Sequence, residues 1–201
     1  MKKSIIVILV LVAVVGGVIM WAVGVNNKLV TEEETVAKAW SQVENVYQRR
    51  ADLIPQLVAT AQGNADRELK TFTAVTEARA RATSVNIDAN NLSEANVAAF
   101  QKAQDELTTS IGRAVNVIIE RYPELAAGES FINLQTQLEG TENRIAVERH
   151  NFNDAVNVYN TYIRKFPTSV IAGMLGFEKK GYFTAAQGAE QAVKVEFNFN
   201  K

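Results

Sequence analysis

The chain has 201 residues, with 21 Lys+Arg against 22 Asp+Glu, one His, no Cys and a formal net charge of −1. Without cysteine there is no disulfide framework, thiolate zinc site, CxxC redox pair, cysteine nucleophile or lipid-modified N-terminal cysteine. Without a basic excess nucleic acid is not an expected partner, and the length fits a single domain beyond any membrane segment.

The first element is apolar. Ile5 to Val25 is a run of 21 uncharged residues, and a helix of that length crosses about 30 Å of hydrocarbon. Lys2 and Lys3 precede it, and Trp21 lies near its far end, where an aromatic ring suits the headgroup region. The rival is a cleavable signal peptide, with small residues at Ala22-Val23-Gly24. The run exceeds the roughly 7 to 15 residues of a signal's apolar core, so a single-pass anchor over 1–28 is the expectation, with a soluble domain over 29–201. Ala13, Gly17, Met20 and Gly24 share a face with one small-xxx-small step, compatible with helix pairing and a homo-oligomer. Two lysines before the span against Lys28 and Lys38 after it lean toward the N-terminus inside and the domain outside the cytoplasmic membrane. Glu32-Glu33-Glu34 reads as a solvated run, or else as a site for a cation or basic partner.

Beyond the anchor the pattern is helical. Val36, Trp40, Val43, Tyr47, Arg50, Ile54 and Leu57 step by 4 and 3 along one face, and Pro55 predicts a kink or break near Asp52, which would cap a new helix. A second stripe, Leu57, Ala61, Ala65, Leu69, Phe72, Val75 and Ala82, carries helix to a turn at Asn86–Asn91. Ser93 is the expected N-cap of a third helix with stripe Val97, Phe100, Leu107, Ile111, Ala114 and Ile118, closing at Tyr122-Pro123. After a turn at Gly128, positions 131, 134, 138, 141, 145, 148, 152, 155, 159, 162 and 166 alternate by 3 and 4, and only Thr141 and Glu148 among them are polar. That helix runs for about 36 residues, roughly 54 Å, to Phe166-Pro167. The fold class is all-α: an N-terminal transmembrane helix, then an elongated antiparallel bundle of about four long helices with a short extended tail. Val170 to Phe177 is too glycine-broken for a helix assignment. Val193 to Phe199 alternates with period 2, as an extended segment lying in a groove of its own bundle, or pairing with a partner, would.

Catalytic chemistry finds few residues. His150, beside Arg149 and off the apolar stripe, reads as a surface side chain, so Ser-His-Asp and Cys-His devices have no base. One His excludes HExxH and paired Glu-x-x-His metal sites, and the scattered glycines form no phosphate loop. No catalytic, cofactor or metal residue is assigned and no cofactor is expected. Arg50 and Glu148 both interrupt apolar stripes, which predicts a buried ion pair between them, the alternative being that Arg50 snorkels to the surface.

Two blocks carry a resemblance. Ala39-Trp40-Ser41-Gln42-Val43-Glu44-Asn45 continues through Tyr47-Gln48-Arg49-Arg50-Ala51-Asp52-Leu53-Ile54-Pro55; the second runs from Phe131 through Gly140-Thr141-Glu142-Asn143-Arg144-Ile145-Ala146 to Asn153-Asp154-Ala155-Val156, Tyr159-Asn160 and Phe166-Pro167. Together they resemble the LemA family over about residues 29 to 199, with small departures at Gln56, Phe152 and Val193. The resemblance implies a bacterial membrane protein with one N-terminal transmembrane helix and long antiparallel helices, and supplies no reaction; members are often encoded near a membrane metalloprotease, and a relative is associated with magnetosome membranes. The expected function is a membrane-anchored scaffold or adaptor of the cell envelope. Its partners would be the lipid bilayer and an envelope protein, a membrane protease among the options. Arg49, Arg50, Asp52, Glu142, Arg144, Asp154 and Asn160 are the polar groups that either contact a partner or hold the helices in register. The alternative function is a small-molecule sensor or carrier with a cavity between the helices.

Overall fold

In the computed structural model, which describes residues 2–62 and 69–185, the apolar segment and the first bundle helix are one element. Helix α1, Lys2–Gln62, has 61 residues and is about 90 Å long at 1.5 Å per residue. Its large side chains from Ile5 to Met20 are exposed, and this stretch is long and apolar enough to cross a membrane. Burial begins at Val25 and recurs at Leu29, Val36, Trp40, Val43, Tyr47, Ile54 and Leu57, the 3-and-4 spacing of a single helical face.

Of the kink or break predicted at Pro55, the break is absent: α1 passes through the proline without interruption. Proline removes the N–H that would bond the carbonyl four residues back. Here that carbonyl, of Ala51, accepts a hydrogen bond from Arg79 Nε at 2.8 Å instead. The same contact corrects the second expectation. A continuous helix would separate Ala51 and Arg79 by about 42 Å; instead α2, Leu69–Ser84, lies back against α1.

Ser93 caps α3, Glu94–Arg121, accepting from the Asn96 N–H at 3.3 Å, and the six expected stripe residues of α3 are buried. A short α4, Pro123–Ala126, escaped the sequence reading. Helix α5, Glu129–Arg164, follows Gly128 and lies antiparallel on α1, with Phe152 edge-on to Trp40 at 5.4 Å and the Lys28 ammonium 4.8 Å from the Tyr162 ring centre. Its buried positions drift from the strict seven-residue spacing: Phe131, Leu134, Leu138, Thr141, Ile145 and Phe152 are followed by Val156, Tyr159, Asn160 and Ile163. A straight helix slips about 20° per heptad against such a repeat, so burial passes from 155 and 162 to Val156 and Ile163; Glu148 is only partly buried, and Phe166, beyond the end of α5, is exposed. Helix α6, Thr168–Leu175, forms despite Gly173 and is closed by Gly176 in the left-handed region, φ +78°, where the missing Cβ removes the steric cost.

Two apolar clusters fill the bundle. One gathers Leu29, Trp40, Tyr47, Phe100, Phe152 and Tyr159. The other, toward the far end of α1, gathers Leu53, Ile54, Leu57, Val75, Leu107, Ile118 and Phe131. Between them, at the level of residue 50, lies a polar layer.

Candidate functional site

Arg50 is the centre of that layer and is only 2% exposed. Its Nη1 donates to Thr108 Oγ1 and to Glu142 Oε2, the latter at 3.1 Å. Its Nη2 donates to the Gln104 carbonyl at 3.1 Å and to Gln104 Oε1 at 2.8 Å. Gln104 Nε2 in turn donates to the Ala82 carbonyl at 3.2 Å, so one guanidinium links α1, α3 and α5 directly and α2 through Gln104. The group also lies over the Tyr47 ring, 4.9 Å from its centre, where the ring's electron-rich face favours a cation. Burial raises the Tyr47 pKa, with Arg149 and Arg50 opposing the rise. Nε of Arg50 is the one buried side-chain nitrogen or oxygen without a partner among the described residues.

The acid that answers Arg50 is therefore Glu142 and not Glu148. Trp40 opposes Phe152, so on antiparallel helices residue 50 opposes residue 142, ten positions along in each direction; Glu148 is six residues, about 9 Å, out of that register. Glu148 instead accepts from Asn151 Nδ2 at 3.1 Å.

A second polar constellation holds an extended arm. After Gly176 the chain runs from 177 to 185 without regular secondary structure. Its backbone is paired by side-chain amides in place of a neighbouring strand. Asn160 donates to the Lys180 carbonyl at 2.8 Å and accepts from the Lys180 N–H at 3.0 Å. Asn153 does the same for Phe183, both at 2.9 Å, and Gln101 for Thr184, both at 3.0 Å. An amide carries both a donor and an acceptor, so each can satisfy both backbone groups of one residue. The Gly181 N–H donates to the Leu92 carbonyl at 2.8 Å, and a Cβ on Gly181 would lie 2.6 Å from Glu94 Cα.

Side chains anchor the arm at both ends. Phe183 is buried, stacked on Trp40 with ring centres 6.0 Å apart, and the Arg149 guanidinium lies 4.8 Å from its own ring centre. Lys180 is 8% exposed; its Nζ reaches Glu33 Oε1 at 2.7 Å and the Asn90 carbonyl at 3.2 Å. Tyr159 donates to the Glu178 carbonyl at 3.0 Å, and burial, reinforced by the charges of Glu33 and Glu178, pushes its pKa well above the ordinary tyrosine range.

The arm lies between α3 and α5, and among the described residues the arm and the facing sides of these helices line an open trough of about 1360 Å³, with Lys102, Asp105, Thr109, Arg113, Glu142 and Arg149 along it. Of the seven motif polar groups, Arg50 and Glu142 meet and Asn160 grips the arm, while Arg49, Asp52, Arg144 and Asp154 stand exposed. Asp52 accepts from Gln48 Nε2 at 2.8 Å, and Asp154 pairs with an exposed His150 at 3.4 Å. Gln101, Asn153, Lys180 and Glu33 were missed as site residues. A signal for part of the set existed: Asn153 and Asn160 lie seven residues, about two turns, apart in a helix interior, where asparagine is intrinsically unfavourable. Of the Glu32–Glu34 run, Glu33 holds the ammonium of this chain's own Lys180. The period-2 segment 193–199 lies outside the described residues. Among the described residues no group of three or more His, Asp or Glu could hold a metal ion. What the arrangement offers is backbone-reading amides and charge.

Comparison with known proteins places these features. The LemA family model matches residues 39–197. Protein LemA of Metamycoplasma hominis is 24% identical over 165 residues, 82% of this chain and 71% of that protein. Magnetosome protein MamQ of Magnetospirillum gryphiswaldense is 34% identical over 74 residues, 37% of this chain and 27% of its own length. Magnetosome protein MamQ 1 of Paramagnetospirillum magneticum is 32% identical over an equally short stretch of 74 residues. With a family model covering both motif blocks and the arm, the chain belongs to the LemA family.

Proposed function

We propose that the protein is a membrane-tethered helical scaffold of the bacterial cell envelope, with no reaction of its own, whose bundle stands outside the cytoplasmic membrane and offers the α3/α5 trough to an extended segment of another envelope protein. The observation that carries this reading is the continuity of α1: the helix whose first part is long and apolar enough to cross a bilayer is also the spine of the bundle, so no flexible linker separates the domain from the membrane. The trough supplies the docking surface. Its upper part already accommodates an extended backbone through Gln101, Asn153 and Asn160, and side chains that satisfy a backbone give affinity independent of sequence. A small-molecule carrier has less support, since the large space is an open trough and the buried centre is closed by Trp40, Phe152 and Tyr159.

The test is a photo-cross-linking residue at Thr109, in the trough, and at Val158, exposed on α5 outside it, in intact cells. A discrete adduct with another envelope protein at Thr109 and none at Val158 supports the reading. Adducts with copies of this chain alone, or the same products at both positions, contradict it.

A further inference from the structure

The turn that ends α5 carries an apolar surface that the bundle leaves uncovered. From Phe166 to Phe177 the sequence FPTSVIAGMLGF holds no charged residue, between Arg164-Lys165 on one side and Glu178-Lys179-Lys180 on the other. Thr168 and Ala172 of α6 are buried. Phe166, Val170, Met174 and Leu175 are 84%, 52%, 78% and 54% exposed. Val170 and Met174, four residues apart, share a helical face. Four large apolar side chains within ten residues form a patch, which calls for an occupant where a lone exposed leucine would not.

The position of the patch names the occupant. In the register that sets Phe152 beside Trp40 and Tyr162 beside Lys28, α5 ends level with Lys28 of α1, about 5 Å from Val25, the last residue of the apolar run. Beyond that point α6 packs back on α1, and Val25, Leu29, Ile163 and Ala172 share one buried cluster. The patch thus sits where α1 passes from its exposed apolar stretch into the bundle, with Arg164 and Lys165 exposed beside it.

We infer that Phe166 and the outer face of α6 insert into the interfacial layer of the same bilayer that α1 crosses, a second and monotopic membrane contact. The inference rests on the membrane reading proposed above. An apolar face of this kind lies about 5–10 Å deep, at the boundary of headgroups and acyl chains. Lys28, Arg164 and Lys165 then stand at the level of the lipid phosphates, where each cation is attracted to an anionic surface. One spanning helix leaves a domain free to tilt against the bilayer; a second contact at its base fixes that tilt, and with it the inclination of the α3/α5 trough to the membrane.

The absence of native cysteine makes a direct test available. Single substitutions Met174→Cys in the patch, Val14→Cys in the middle of the apolar run and Asn133→Cys on α5 at the opposite end of the bundle all fall on exposed side chains. Each full-length variant is labelled with an environment-sensitive fluorophore and reconstituted into phosphatidylcholine–phosphatidylglycerol vesicles carrying nitroxide lipids. The label at 174 is expected to shift to the blue and lose most of its emission to nitroxides near the headgroup, the label at 14 to be quenched by deep nitroxides, and the label at 133 by neither. A label at 174 that behaves like the one at 133, while 14 is quenched, overturns the second contact and leaves the anchor standing. Self-quenching at 174 that rises with protein-to-lipid ratio, without quenching by lipid, overturns it in favour of a second copy on the patch. A label at 14 that escapes quenching removes the membrane reading and this inference with it.

Discussion

Arg50 is a cation taken out of water and returned four hydrogen bonds by three neighbours. Such a group costs several kcal/mol to desolvate and is held only where its partners are good. Arg50→Met is expected to destabilise the bundle by about 2–3 kcal/mol, since it strips charge-assisted hydrogen bonds from Gln104 and Thr108. Glu142→Gln should cost less than about 1 kcal/mol, because its carboxylate is half exposed, at 52%. In urea unfolding, a double-mutant cycle should give measurable coupling between 50 and 142 and none between 50 and 148; coupling to Glu148 would refute the register described here. Two sequence features, an arginine and a glutamate interrupting apolar stripes, correctly pointed to a buried Arg50. They named the wrong acid because a stripe fixes the face on which a residue lies and not its level along the partner helix: Glu148 is about 9 Å from the level of Arg50. Tyr159 adds a pH dependence. Both folded and unfolded chains hold its proton below the ordinary tyrosine pKa of about 10; above it the unfolded chain releases the proton while burial keeps it on the folded one. The folded state then binds more protons, so stability falls as pH rises past about 10. Tyr159→Phe should lessen that fall without abolishing it, because Tyr47 is raised as well; unfolding midpoints near pH 8 and above about pH 10 measure the difference.

Among the elements, the instructive pair is α1 at Pro55 and the arm. A proline inside a helix normally leaves the carbonyl four residues back without a partner, and the sequence offered no way to see that Arg79, on another helix, would supply one. Arg79→Ala should cost about 1–3 kcal/mol by leaving the Ala51 carbonyl unsatisfied, and should fray α1 beyond residue 51 in hydrogen exchange; unchanged protection there would refute the account. Helices α3 and α5 were legible nearly to the residue because each carries its own stripe and terminator, and α3 its Ser93 cap as well. The arm was not, since its pairing depends on Gln101, Asn153 and Asn160, more than seventy residues away in the first case and about thirty and twenty in the others. Gly181→Ala tests it. The added methyl would strike backbone at 2.6 Å, and overpacking of this kind costs about 1–3 kcal/mol. The arm should leave its groove, exposing the 178–185 segment to protease and shifting Trp40 fluorescence while far-ultraviolet helicity persists. A variant as protease-resistant as the parent would contradict the clamp.

At the scale of the whole molecule, composition and periodicity sufficed for an all-α chain with an apolar N-terminal helix, because those properties are local. The trough, the polar layer between the two apolar clusters and the patch at the base of the bundle depend on which helices meet and which do not, and that is decided by tertiary register. On the proposed reading these features share one axis: α1 ties the bundle to a bilayer, Arg50 joins the helices at mid-height, and the arm occupies part of the trough offered to a partner. On that reading the trough is displayed on the outer side of the cytoplasmic membrane. The most direct measurement is a single Asn133→Cys substitution in intact cells treated with a membrane-impermeant maleimide, with a cysteine beside Lys2 as the opposite control. Labelling at 133 before lysis, with the N-terminal cysteine protected, is the predicted result. Labelling at 133 only after lysis, with the N-terminal cysteine reached in intact cells, would place the bundle in the cytoplasm and contradict the account.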